Sequence, residues 1–236
     1  MDNLGPKYII EFANGIRLTE SVVTMWILMV ILIVFSLVFV RNFKSVPGKM
    51  QNLIEVIVDT TYNQVGQVMG PNMLGFAPYI GTLFLFLLCG NFLGLLGLRP
   101  ITSDVNTTFA LATITFVLIH FFSIRNKGIV GYIKHLSNPN IIMLPINLLG
   151  ELAFPLSLSF RLFGNITGGV IILALVYTGL DSLSAAISFP IPIFDFLIPI
   201  PLNAFFDVFE GILQAFIFTM LTMTFISMGY ESGEEH

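Results

Sequence analysis

Apolar residues in this chain form long runs that are separated by short polar segments. Three of these runs, 21–40, 78–98 and 107–124, have the length of about 20 residues that a transmembrane helix needs. Two later runs, 141–180 and 201–229, are longer than one perpendicular span requires, so we expect two long helices that tilt or bend. The pattern therefore predicts an all-α integral membrane protein of about five transmembrane helices, the last two long and inclined.

Residues 50–69 carry polar side chains, such as Glu55 and Gln64, among their apolar ones. Such an amphipathic stretch is typical of a helix that lies in the membrane interface. We therefore expect an interfacial helix here rather than a further span. We take residues 1–236 as a single membrane domain whose N-terminal segment, 1–20, lies on the outer side.

Composition excludes most soluble functions. The chain of 236 residues is 56% hydrophobic and only 10% charged, whereas a soluble domain carries about 25% charged residues. Its single cysteine, Cys89, excludes an internal disulfide and a CxxC metal or redox site. The histidines show no metal-ligand spacing, and a phosphate-binding GxxxxGK(S/T) loop is absent from the sequence. We therefore expect no cofactor, no metal and no nucleic-acid partner.

Basic residues cluster after the first and the third apolar run. The positive-inside rule places such clusters on the cytoplasmic side of a membrane. With this orientation the N-terminus lies outside, and the C-terminus lies in the cytoplasm. The six residues of the two clusters are Arg41, Lys44, Lys49, Arg125, Lys127 and Lys134.

An arginine, Arg161, stands in the middle of the run 141–180. Its only charged companion in that run is Glu151, and a charge at the centre of a membrane helix costs about 2.5–3.5 kcal/mol on insertion scales. Ionisable groups at this depth by default mark ion or proton pathways. Two interpretations follow: Arg161 belongs to such a pathway, or it forms an internal salt bridge with Glu151 or with an acid on the last helix.

Small and polar residues share the helix face of Arg161. Asn165 lies one helical turn after the arginine. Gly164, Gly168 and Gly169 remove side chains beside it, which allows another helix to approach closely. That helix belongs either to this chain or to a partner, and the pattern is compatible with both.

Two polar tracks approach Arg161 from opposite sides of the membrane. On the inner side, Glu151 precedes it by ten residues, about 15 Å along a helix, and Asn147 lies one turn earlier. On the outer side, four polar residues at spacings of 4, 3 and 4 form one stripe of the last helix. A fixed positive charge between two such half-paths prevents a direct proton leak and favours the ionised form of a carboxylate on a partner. The stripe consists of Asn203, Asp207, Glu210 and Gln214.

Two segments carry a specific resemblance to a known family. LSLSFRLFGNITGG, residues 156–169, and LQAFIFTMLT, residues 213–222, resemble the signature segments of subunit a of the bacterial F-type ATP synthase. The resemblance implies that Arg161 faces the proton-binding carboxylate of the c-ring, with Asn165 and Gln214 as its polar companions. It also implies a non-catalytic stator subunit of the Fo sector. Such a subunit conducts protons through two offset half-channels and thereby couples proton flow to rotor rotation and ATP synthesis.

The resemblance extends to location and partners. It implies a multi-pass protein of the bacterial cell membrane that works with the c-ring and with subunit b of the peripheral stalk. Its only small-molecule substrate is then the proton. By this resemblance, the choice between protons and sodium ions lies largely in the binding site of the ring.

The chain departs from the family pattern at several positions. Many members have an acid nine residues after the arginine, where this chain has Val170, and Glu210 on the polar stripe is the expected replacement. The position seven before the glutamine, often His or Glu, is Asp207. Some members carry an acid fourteen residues before the arginine, where this chain has Asn147, so Glu151 is the expected substitute.

His120 lies near the cytoplasmic end of the third span. We expect it to be a hydrogen-bonded or interface-facing histidine rather than a member of a proton relay. Two other functions stay open for the chain. A self-contained secondary ion transporter requires an inverted repeat and broken helices in both halves, and the first half has no counterpart of the Arg161 region. A structural membrane scaffold requires only that Arg161 pair with an internal acid.

Overall fold

Helices dominate the part of the chain that the structure describes, which comprises residues 8–11, 17–41, 43–44, 47–138, 140–187 and 199–231. In this computed structural model, five helices are long and apolar enough to cross a membrane. This confirms the all-α membrane class that the sequence predicts. Outside the helices, the described residues contain one short antiparallel pair of strands, β1 (Tyr8–Glu11) and β2 (Arg17–Thr19).

The last of these five helices is built from three segments, and we call it the last helix. Its segments are α6 (Pro199–Ala204), a π-helical segment, Phe205–Glu210, and α7 (Gly211–Glu231). Short 3-10 turns, Pro71–Phe76 and Leu93–Leu96, flank α3 (Ala77–Phe92) on both sides. The proline-rich residues 188–198 of the expected connection lie outside the described residues. The helices are α1 (Glu20–Val40), α2 (Lys49–Met69), α3 (Ala77–Phe92), α4 (Val105–Leu136), α5 (Met143–Ile187), α6 (Pro199–Ala204) and α7 (Gly211–Glu231).

Helix α4 extends beyond the predicted third span. The sequence predicts an end at Ile124, where the apolar run stops, but the helix continues to Leu136. The end of an apolar run shows where the membrane ends, not where the backbone hydrogen bonds of the helix end. Arg125 and Lys127 are good helix formers, so the helix can continue beyond the membrane. Gly128 interrupts the helical geometry with φ 71°, a conformation that favours glycine. The residues after it therefore form a redirected end of α4.

Helix α5 contains 45 residues, which corresponds to about 68 Å at 1.5 Å per residue. This is about twice the thickness of a bilayer core. Pro155 lies inside the helix without ending it. Because Arg161 lies well inside α5, the helix provides many residues on both sides of the arginine.

One buried apolar cluster lies between α3, α4, α5 and α7. Leu87 of α3, Leu158 and Leu162 of α5, and Phe218 of α7 belong to this cluster. Helix α5 therefore packs on its neighbours through the side that carries Leu158 and Leu162, and it leaves Arg161 exposed. Helix α1 is peripheral. Only 6% of the most apolar stretch of α1 is buried, whereas 50% of the corresponding stretch of the last helix is buried.

Candidate ion path

Arg161 is exposed on the surface of α5. In the described part of the chain, its guanidinium forms no salt bridge and no hydrogen bond. The internal salt bridge with Glu151 or with an acid of the last helix is therefore not formed. The chain leaves the charge available to something outside itself.

Beside Arg161, a polar bond connects the two long helices. The side-chain amide of Asn165 donates a hydrogen bond of 2.9 Å to Oε1 of Gln214. Gln214 is only 1% exposed, and its Nε2 finds no partner among the described residues. Both residues expected to accompany Arg161 thus meet each other next to it.

The glycines near Arg161 divide into two groups. A Cβ at Gly169 would lie 2.8 Å from Cδ1 of Phe206, so this glycine allows the last helix to approach α5. A Cβ at Gly164 or Gly168 would meet nothing of this chain within 4 Å. Gly169 therefore serves packing within the chain, whereas Gly164 and Gly168 keep an open face next to the arginine.

A cavity of about 550 Å³ lies between α5 and the last helix, and we call it the α5 cavity. Asn203, Asp207 and Glu210, three residues of the expected polar stripe, line it. Val170 lines the same cavity, so Glu210 shares one space with the position where many family members have an acid. Tyr177 of α5 also borders the cavity, and Asn203 donates a hydrogen bond of 2.8 Å to its hydroxyl oxygen.

The polar stripe expected on the last helix assumes a regular α-helix, whereas Phe205–Glu210 is π-helical, and π-helical turns change the angular position of the residues that follow. Asn203, Asp207 and Glu210 line the α5 cavity, and Gln214 forms its hydrogen bond with Asn165 of α5. Such turns occur frequently at functional sites.

A buried hydrogen-bond network supports the end of the π-helical segment. Asn91 of α3 donates to the carbonyl oxygen of Gly211 at 3.0 Å, and Thr102 donates to Oδ1 of Asn91 at 2.7 Å. Asn91 is 2% exposed and Thr102 is fully buried. A Cβ at Gly211 would lie 3.2 Å from Cβ of Asn91, so the glycine permits this close approach. The network connects α3 to the segment that carries Asp207 and Glu210.

Glu151 belongs to a second polar site, the His120 cluster, which we define as His120, Tyr132 and Glu151. Nε2 of His120 lies 2.9 Å from Oε2 of Glu151. The hydroxyl of Tyr132 donates to the same carboxylate oxygen. The side-chain amide nitrogen of Asn147 donates instead to the carbonyl oxygen of Leu136, at 2.9 Å, and so does not bond to this cluster.

The two polar sites lie on opposite sides of Arg161 along α5. Glu151 precedes the arginine by ten residues, and the α5 residues that line the cavity, from Phe163 to Tyr177, follow it. At 1.5 Å per residue, Glu151 and Tyr177 are separated by about 39 Å along the helix. One helix therefore carries a polar site, an unpaired cation and a polar cavity in that order.

Sequence reasoning missed several residues of the two sites. Glu20 and Arg99 line the α5 cavity, and their only signal in the sequence is that each directly flanks an apolar run. Asn91 and Tyr132 each provide a polar bond that depends on which helices become neighbours. A pattern along a single helix does not contain this information.

The profile of a family described as ATP synthase A chain matches residues 22–227. The chain is 36% identical to the sodium ion specific ATP synthase subunit a of Propionigenium modestum, over 93% of this chain and 78% of that protein. It is 36% identical to ATP synthase subunit a of Geotalea daltonii, over 91% of this chain and 89% of the other. It is 32% identical to ATP synthase subunit a of Moorella thermoacetica, over 90% and 91% of the two chains. The exposed arginine of α5 thus lies in a chain that belongs to the ATP synthase A chain family, the family of ATP synthase subunit a.

Proposed function

We propose that this protein is the stator subunit of an Fo sector and conducts protons through two offset half-channels that Arg161 separates. The observation that carries this proposal is the order of features along α5. A polar cluster around Glu151, an unpaired cation and a polar cavity follow one another on a single helix. Proton flow from one half-channel to the other then requires a mobile carrier, which is the c-ring.

The distribution of basic residues supports one orientation of the chain in the membrane. Arg41 and Lys44 follow α1, and Lys127 and Lys134 lie in the last part of α4, so the positive-inside rule places these ends in the cytoplasm. The start of α1 then lies outside, together with the α5 cavity, which Glu20 lines. The cavity is accordingly the outer half-channel, and the His120 cluster lies at the inner half-channel.

The exposed guanidinium of Arg161 needs compensation. A charge in the membrane interior is expensive and is usually paired. No acid of the described chain supplies a partner, so we assign this role to the carboxylate of a c subunit. Gly164 and Gly168 leave open space beside the arginine, which allows a partner helix to come close. This arrangement disfavours the structural scaffold, because a scaffold would pair Arg161 internally.

Asp207 and Glu210 are the proposed proton acceptors of the outer half-channel. Both line the α5 cavity, whose volume of about 550 Å³ is large compared with the roughly 30 Å³ that one water occupies in the liquid. Water in such a cavity carries protons from the outer surface to these carboxylates. Asn165 and Gln214 then lie between the carboxylates and Arg161.

Complete coupling requires partners that the chain does not contain. The c-ring carries protons between the half-channels, and its rotation drives ATP synthesis in a separate catalytic head. Subunit b of the peripheral stalk holds the chain against that rotation. The chain itself carries out no step of ATP synthesis, so it is a non-catalytic component of the bacterial cell membrane.

Replacement of Arg161 tests this function. Arg161→Ala and Arg161→Lys should abolish ATP-driven proton pumping in inverted membrane vesicles while the complex still assembles. Arg41→Ala is a matched control, because Arg41 is an exposed arginine outside α5, and it should pump normally. Coupled pumping by Arg161→Ala contradicts the proposal, and loss of assembly in both Arg161 variants supports the scaffold instead.

A further inference from the structure

The hydrogen bonds of His120 determine where its protons lie. Nδ1 of the ring is 2.8 Å from the carbonyl oxygen of Phe116. A carbonyl oxygen only accepts hydrogen bonds, so Nδ1 must carry a hydrogen. Nε2 faces Oε2 of Glu151 at 2.9 Å. A hydrogen bond across this second contact requires one proton, on either the nitrogen or the oxygen.

Two states of the pair satisfy this requirement. In one state an imidazolium donates to a carboxylate, and in the other a carboxylic acid donates to a neutral imidazole. The two states differ only in whether Nε2 of His120 or Oε2 of Glu151 carries the proton. Without that proton, two acceptors face each other at 2.9 Å, which is unfavourable. The geometry of His120 and Glu151 therefore stores one exchangeable proton.

The surroundings hold the carboxyl group in place and leave it accessible. Tyr132 donates its hydroxyl hydrogen to Oε2 of Glu151, and Lys127 on the same helix as Tyr132 attracts Glu151 electrostatically. The side chains of His120 and Glu151 are 22% and 30% exposed, so part of the pair lies at the surface of the chain.

We infer that His120 and Glu151 together form the proton-exchange site of the inner half-channel, with Tyr132 as the residue that positions the carboxyl group. Hydronium gives one proton to the pair and becomes water, and the reverse step returns the proton to water. An N–H or O–H bond of the pair forms as an O–H bond of hydronium breaks, and no other reactant is needed. This inference rests on the proposed function, because it assigns the residues of its inner half-channel.

His120→Gln separates proton exchange from structural support. A glutamine amide still donates a hydrogen bond to Glu151, but it does not titrate. We expect passive proton conduction through Fo, in membrane vesicles stripped of the catalytic head, to fall by about tenfold or more. Glu151→Gln should cause a similar loss, and Tyr132→Phe a smaller one.

Asn126→Ala is the matched control. Asn126 lies on the same helix as His120 and donates a hydrogen bond of 2.7 Å to the backbone carbonyl of Tyr230, so its loss removes an interhelical bond without removing a titratable group. This variant should conduct protons at the normal rate. If it loses conduction to the same extent as His120→Gln, the His120 cluster is only structural.

Added small molecules give a second readout. Imidazole should restore proton conduction in vesicles that carry His120→Ala, whereas pyrazole, which has a similar shape but is a far weaker base, should not. Equal rescue by both compounds, or normal conduction in His120→Gln, overturns the inference. If Arg161→Ala abolishes coupled pumping while His120→Gln conducts normally, only this inference fails. If Arg161→Ala still pumps, the proposed function fails.

Discussion

Asn165 of α5 donates its side-chain amide to Oε1 of Gln214 of α7 at 2.9 Å, one helical turn after Arg161. The bond connects the two helices that border the proposed outer half-channel. It also holds Gln214, which is 1% exposed, next to the arginine. The position of the cation relative to the α5 cavity therefore depends on this contact.

Loss of this contact should impair coupling without abolishing assembly. Asn165→Ala leaves the buried Oε1 of Gln214 unpaired, which costs about 1–3 kcal/mol. We expect ATP-driven pumping to fall severalfold while the subunit remains in the membrane. Thr113→Val is a suitable control, because Thr113 bonds only a carbonyl of its own helix, at 2.7 Å, and is exposed. Unchanged pumping in Asn165→Ala would show that the bond is dispensable.

The two groups of glycines should respond differently to alanine. Gly169→Ala places a Cβ 2.8 Å from Phe206, so we expect lower levels of the subunit in the membrane even without a c-ring. Gly168→Ala meets nothing of this chain within 4 Å. It should leave subunit levels normal and reduce pumping only through contact with the rotor. Normal pumping by Gly168→Ala would argue against a close partner on this face.

An acid at Val170 should replace Glu210. Both positions line the α5 cavity, so Glu210→Gln should lower pumping and the double variant Glu210→Gln/Val170→Glu should recover much of it. Ile171→Glu is the control, since Ile171 is exposed and does not line the cavity. Proton pumping is compared at equal subunit levels in the membrane. If Ile171→Glu restores the pumping of Glu210→Gln as well as Val170→Glu does, the location of the acid is unimportant.

The network of Asn91 and Thr102 should position the acids of the cavity. Thr102→Val preserves shape but leaves the buried Oδ1 of Asn91 without its donor at 2.7 Å. We expect a decrease in pumping that resembles a partial loss of Asp207 and Glu210. Thr82→Val, whose hydroxyl bonds only a carbonyl of its own helix, should have no effect. Proton pumping of Thr102→Val and of Thr82→Val is compared at equal subunit levels in the membrane.

Access from the two sides of the membrane tests the orientation. In a background with Cys89→Ser, Asn203→Cys lines the α5 cavity and should react with a membrane-impermeant thiol reagent added outside. Asn147→Cys should react from the cytoplasmic side. The reverse pattern of labelling would invert the proposed orientation and exchange the two half-channels.

Sequence patterns predict those parts of the molecule whose signals lie along one helix. The apolar runs indicate five spans, and the described residues contain five such helices. Arg161 stands out because a charge interrupts an apolar run, and Asn165 shares its face by spacing alone. These inferences need no knowledge of which helices become neighbours.

The parts of the candidate site that sequence patterns do not predict depend on contacts between helices. The π-helical segment Phe205–Glu210 changes the helical spacing between Asp207 and Gln214, and Asn91 on another helix supports its end. The contact of His120 with Glu151 likewise joins α4 to α5 across 31 residues of sequence. Periodicity within one segment does not specify such pairs, so they become visible only in the folded chain.

If Arg161 separates two half-channels, protons pass between them only on the rotating ring. This can be measured as passive proton flux across vesicles in which the c-ring is immobilised by a crosslink to the stator. We expect almost no flux with the arginine present and a measurable proton leak in Arg161→Ala under the same conditions. A leak through the immobilised complex with Arg161 in place, or no leak after its replacement by alanine, would show that Arg161 does not separate the two half-channels.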